Sequence, residues 1–120
     1  MNIEQIREYC LSKPHTEESF PFDEETLVFK IANKMFALLP LDEIDNPSIN
    51  LKNKPETNIE LRERYEGIIP GFHMNKNHWN TVLLNSDVSH DEIKKMIDIS
   101  YNLVIDNLPK KTKIDLDLIK

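Results

Sequence analysis

The chain has 120 residues, of which 39% are apolar and 30% charged, and a formal net charge of −6. That length makes one domain, which buries about two thirds of the surface its unfolded form exposes and needs no metal or disulfide to fold. The acidic balance speaks against binding polyanions through the overall field. No apolar run approaches the roughly 20 residues that span a bilayer, and a single cysteine, Cys10, excludes an intrachain disulfide and a cysteine-rich zinc site.

In chain order, the spacing of Ile3, Ile6 and Cys10 predicts a helix from Ile3 to Leu11, opened by Asn2 and Gln5 in capping-box spacing and ended by Pro14. The start, Met-Asn-Ile-Glu-Gln-Ile, lacks the basic and apolar segments of a signal peptide, so a cytoplasmic protein is expected. His15 to Glu25 reads as an acidic surface loop pinned to the core by Phe20 and Phe22. Two strands follow, Thr26 to Ile31 and Lys34 to Pro40, joined by a tight Ala32-Asn33 hairpin. Leu27, Phe29 and Ile31 give the first strand one apolar face, and Thr26, Val28 and Lys30 give it a mixed one.

A third strand is expected from Ser48 to Lys52, then a helix from Glu56 to Tyr65 opened by Pro55 and stopped by Gly67. Ile68 to Met74 and Trp79 to Leu84 read as neighbouring strands. The last helix starts at the Ser89 and Glu92 capping box, buries a face from Ile93 to Leu108 and closes at Pro109, leaving Lys110, Lys111 and Lys113 as a solvated basic tail. The order α-β(3)-α-β(2)-α, with hairpin-length links, gives a single α+β domain over residues 1–120: a two-layer sandwich with an antiparallel sheet, helices packed on one face and the other face partly open.

Pro70 to Leu84, "PGFHMNKNHWNTVLL", concentrates the candidate chemistry. His73 and His78 lie five residues apart, on opposite faces of a strand and about 140° apart on a helix, so neither geometry brings both to one ion and no metal site is expected. With Gly67 and Gly71 as the only glycines there is no glycine-rich phosphate loop and no nucleophile elbow, so neither catalysis nor a cofactor is expected. Asn75, Lys76, His78 and Asn80 do supply donors suited to phosphates and base edges, Trp79 offers a stacking surface, and Lys30 and Lys52 extend a weakly basic strip across the open sheet face. The same Trp79 also suits a core anchor, and the asparagines suit a tight turn.

Five stretches resemble the YjbR/MmcQ family of small bacterial proteins: "MNIEQIREYCLSKP", "FPFDEETLVFKIANKMFAL", "INLK", "IIPGFHMNKNHWNTV" and "SYNLVIDNLPKK". The resemblance implies a compact α+β sandwich similar to secretion-chaperone-like and CyaY-like folds. It also implies a DNA-binding role through β-hairpin wings, the label members commonly carry, and it brings no catalytic residues. Two positions depart from the family pattern. Lys54 stands where an acid often precedes the helix proline, which weakens the cap, and Asn77 stands where a second lysine is common, which removes charge from the strip.

Two functions are therefore expected to compete. One is a non-enzymatic DNA-binding protein that contacts nucleic acid through Lys30, Lys52, Asn75, Lys76, His78, Trp79 and Asn80. The other is a small protein-interaction module or homodimer, chaperone-like in architecture, using the open sheet face or an edge strand.

Overall fold

The computed structural model describes residues 1–118. Its elements in order are α1 (Ile3–Leu11), β1 (Glu17–Ser19), β2 (Thr26–Ile31), β3 (Lys34–Pro40), β4 (Ser48–Lys52), α2 (Pro55–Arg64), β5 (Ile68–Pro70), β6 (Trp79–Leu83), α3 (His90–Asp106) and α4 (Lys110–Asp115). The strands form one antiparallel sheet in the order β1-β2-β3-β4-β6-β5. α1, α2 and α3 pack on one face of it, so the architecture is the expected α+β two-layer sandwich.

Local chemistry accounts for most boundaries. Asn2 Oδ1 accepts from Gln5 N–H at 2.8 Å and Gln5 Oε1 from Asn2 N–H at 3.0 Å, so α1 starts in a reciprocal capping box. Ser89 Oγ accepts from Glu92 N–H at 3.1 Å at the start of α3. Lys54 gives α2 no side-chain cap, and Pro55 sets its first turn. Ala32 and Asn33, with φ of 50° and 65°, are both left-handed, as a two-residue type I′ hairpin requires.

The sheet has six strands rather than the five expected. β1 consists of Glu17, Glu18 and Ser19 and has no apolar residue to signal it; it is a strand only because it pairs with β2 at the sheet edge, where short charged strands resist further pairing. β5 ends at Pro70, because Gly71 to His78 turns back on itself instead of continuing to Met74. The Lys110 tail forms the short helix α4.

The helix-covered face carries the main core, in which Phe29, Phe36, Ile49, Ile93 and Ile97 are fully buried. Cys10 is fully buried there too, and loss of solvent pushes its thiol up to about 12, which suits a small packed side chain. None of the described helices is long and apolar enough to cross a membrane.

One irregularity organises the packing. Phe29 pairs with Ala37 and Lys30 with Met35, so Phe36 is an extra residue bulged out of β3. The bulge separates β3 from β4 beyond their two paired positions. Ser100 of α3 fills the gap: its hydroxyl donates to Phe36 C=O at 2.5 Å and accepts from Lys52 N–H at 2.9 Å. Tyr101 sets its ring edge-on to Phe36 at 5.2 Å, and its hydroxyl donates to Pro14 C=O after α1.

Two stability changes are expected. Ser100→Ala strands the Phe36 carbonyl and the Lys52 amide and should lower unfolding free energy by about 2–4 kcal/mol in urea titration. Ala32→Gly removes left-handed strain and should raise it by about 0.5–1 kcal/mol.

Candidate functional site

Gly71 to His78 folds over the sheet face that no helix covers. Gly71 N–H donates to Trp79 C=O at 3.0 Å, and a Cβ at Gly71 would stand 2.9 Å from that of Trp79, so only glycine permits this close return. Asn75 Oδ1 accepts from Asn77 N–H at 2.9 Å, and its carbonyl accepts from the N–H groups of His78 and Trp79. His73 takes the left-handed conformation at φ 61°, with its ring 4.0 Å from that of Phe72.

The loop is also tied to α2. Asn58 Nδ2 donates to Asn77 C=O at 3.0 Å and Asn53 C=O at 3.2 Å. Arg62 Nε donates to Asn80 Oδ1 at 2.6 Å, a further Arg62 N–H donates to Lys76 C=O, and Asn80 Nδ2 donates to Asn58 C=O at 3.2 Å.

These contacts sort the expected contact strip. Asn80, 2% exposed, is on the helix-covered face with its amide engaged on both sides, so it belongs to the fold and presents nothing at the surface. Trp79, 7% exposed, forms a second small core with Val28 and Leu38 under Met35 and Met74, which removes its ring face as an open stacking platform. Lys76 Nζ donates to Gly71 C=O at 2.9 Å. Asn75 and His78 are exposed, and the His78 carbonyl accepts from Asn53 N–H. Lys30 faces the carboxylate-bearing Glu17 across the β1–β2 pair. Lys52 lies opposite Trp79 and shares with Lys34, Met35 and Asn107 a cleft of about 410 Å³. The strip thus divides: Lys30 and Lys52 stay on the open face, Lys34 stands at the hairpin opposite Ile31 on the helix side and shares its cleft with Lys52, and the Asn75–His78 turn is held against α2.

A different cleft, of about 400 Å³, occupies the other end of the open face. Leu38 and Asn50 line it from the sheet and Met74 from the loop. Phe22 and Phe72, 65% and 62% exposed, also line it. Phe22 is therefore turned to solvent and does not pin its loop to the core. Phe72 N–H donates to Thr81 Oγ1 at 3.0 Å, and the Thr81 hydroxyl donates to Asn50 Oδ1. Asn50 is 6% exposed, and its Nδ2 has no acceptor among the described residues.

Asp23, Glu25, Asp42 and Glu43 also line this cleft, and no lysine or arginine does. Asp23 caps its own loop by accepting from Glu25 N–H at 2.9 Å and Thr26 N–H at 2.7 Å, which holds its carboxyl below the usual range. The neighbouring Asp42 charge, and a hydrogen bond between the two carboxyls, raise the Glu25 carboxyl above its ordinary value. Asp23 and Glu25 belong to the stretch that reads in sequence as an acidic surface loop, and Asp42 and Glu43 lie beyond the β2–β3 hairpin. Their convergence depends on Leu41 N–H donating to Glu25 C=O at 2.7 Å, which closes the chain between distant strand ends.

The family model YjbR matches residues 11–103. The uncharacterised protein YjbR of Escherichia coli is 32% identical over 114 residues, covering 94% of this chain and 95% of its own length. The uncharacterised Escherichia coli protein YbdF is 37% identical over 108 residues, covering 90% and 88%. The crystal structure of a Deinococcus radiodurans protein superposes with a TM-score of 0.90 at 36% identity, covering 97% of this chain and 88% of that one. A crystal structure of a Pseudomonas syringae protein gives 0.73 at 35% identity over 86% and 98%.

The carboxyl pair predicts a pH signature. Glu25 protonates more readily in the fold than in the unfolded chain, so its repulsion from Asp42 weakens the fold above the Glu25 midpoint and is relieved as pH falls through it. Side-chain NMR titration should show Glu25 above ordinary glutamates. Asp42→Asn should bring it back down and should stabilise the fold at neutral pH more than below that midpoint.

Proposed function

The chain belongs to the YjbR family, and we propose that it works as a non-catalytic protein-interaction module receiving its partner on the open face of the sheet. The observation that carries this reading is the cleft beside Phe22 and Phe72, two aromatic side chains exposed together on a face that α1, α2 and α3 leave free. Exposed apolar groups gathered at a concave site with polar surroundings are the usual mark of a docking surface. Phe22→Ser with Phe72→Ser should leave the far-UV spectrum and melting temperature unchanged, since neither ring is buried, while abolishing retention of the partner that the unmodified chain holds in a pull-down from cell extract. Equal retention by the double variant would refute this surface.

A second reading is favoured by Lys34 and Lys52 sharing one cleft near the hairpin, with Lys30 on the adjoining strand: a non-enzymatic DNA-binding protein whose phosphate contacts come from these lysines. Three such contacts give a log–log salt slope of about −3 for duplex binding. Polarisation titration of a labelled mixed-sequence duplex should show that slope, and Lys34→Glu with Lys52→Glu should eliminate it. Duplex left unbound at low salt would remove this reading and leave the first.

A further inference from the structure

Resting on the interaction-module reading, we infer that the cleft between Asn50, Phe22 and Phe72 takes an extended peptide segment of a partner protein in which a lysine or arginine adjoins a bulky apolar residue.

The floor supplies the first requirement. The Thr81 hydroxyl accepts from Phe72 N–H and donates its own proton to Asn50 Oδ1. The Asn50 amide therefore has its oxygen engaged and its NH₂ group without an acceptor among the described residues. This donor opens onto the cleft, where an occupant's acceptor can take the place of water. An occupant that presents an oxygen at the cleft floor is the one this donor favours.

The rim decides which oxygen. Asp23, Glu25, Asp42 and Glu43 stand around the cleft, with His73 but no lysine or arginine among its lining residues. A phosphate or carboxylate entering there would meet like charge, whereas a neutral carbonyl would not. The same carboxylates favour a cation beside that carbonyl, and Asp42 already raises the Glu25 carboxyl. Phe22, Phe72 and Leu38 offer apolar surface for a third group. Carbonyl, apolar group and cation at residue spacing are what a peptide supplies from its backbone and two successive side chains. A volume of about 400 Å³ falls at the lower end of the roughly 300–1,000 Å³ usual for ligand pockets, which suits a short segment and not the flat face of a folded domain.

The test uses the full chain and labelled, end-capped decapeptides that alternate leucine or phenylalanine with lysine or arginine. Control peptides carry glutamate for the basic residues or serine for the apolar ones. Fluorescence anisotropy should show micromolar binding of the basic-apolar set, about tenfold or more weaker for either control. Glu25→Lys with Asp42→Lys, both exposed positions, should reverse the preference to the glutamate peptides. NMR titration should move the Asn50 side-chain amide together with the Phe72–Met74 backbone. Binding indifferent to peptide charge, shifts confined to another face, or no binding of any peptide by the unmodified chain would each overturn the inference. Pull-down separates the two levels. A partner retained equally by the Glu25→Lys, Asp42→Lys variant but lost with the Phe22→Ser, Phe72→Ser variant sinks the basic-segment inference and keeps the module reading. A partner retained by both variants sinks both.

Discussion

The hydroxyl of Ser100 is the contact on which the arrangement of sheet and helices depends. The extra residue Phe36 breaks the β3–β4 ladder and leaves a carbonyl and an amide facing each other across a gap too wide for a direct bond. A buried gap of that kind is tolerated only if both groups are satisfied. Ser100 satisfies both from α3, so the helix is keyed to the sheet at one position and in one rotation. Its neighbour Tyr101 then meets the Phe36 ring and reaches the segment after α1, which places the two helices in a common layer. The bulge that disrupts the sheet is thus what locks the second layer onto it.

With the helices confined to one face, the other must be stabilised by loops and short-range packing. Val28, Leu38 and Trp79 build a small core there, and the Gly71–His78 loop leans on it through Met74. That core divides the open face electrostatically. β2 spans six residues, about 17 Å at the usual rise, with Lys30 and Lys34 at its hairpin end and Glu25 and Asp42 at the other. This is about twice the Debye length of ~8 Å at physiological salt, so neither group of charges cancels the other. An overall charge of −6 conceals a face with a basic end and an acidic end, each bordering its own cleft.

Much of the framework was legible because its signals are local. Alternation along Thr26–Ile31 and Lys34–Pro40, the Asn2 and Ser89 caps, and Pro55 at a helix start all act within a few residues, and those elements stand where the sequence puts them. β1 was not legible, since Glu17 and Glu18 carry no burial pattern and only pairing with β2 defines them. The site was less legible than the fold for the same reason. Glu25 and Asp42 are separated by the whole β2–β3 hairpin, and Phe22 and Phe72 by most of the sheet. Asn50, which reads as an ordinary outward strand residue, becomes chemically distinctive only when Thr81 pairs across from it. Asn80 misled in the opposite sense: its donor chemistry was visible, but not that Arg62 and Asn58 would consume it.

The asparagine-rich stretch that looks most like a ligand strip influences the cleft mainly through its backbone. Asn75 shapes the turn, and the carbonyls of Lys76 and Asn77 accept from Arg62 and Asn58, so α2 holds the loop in place. Held there, the loop presents Phe72 N–H to Thr81, whose hydroxyl in turn donates to the Asn50 amide two strands away from β5. A chain of hydrogen bonds thus runs from α2, a helix that lines none of this cleft, through the loop to the cleft floor.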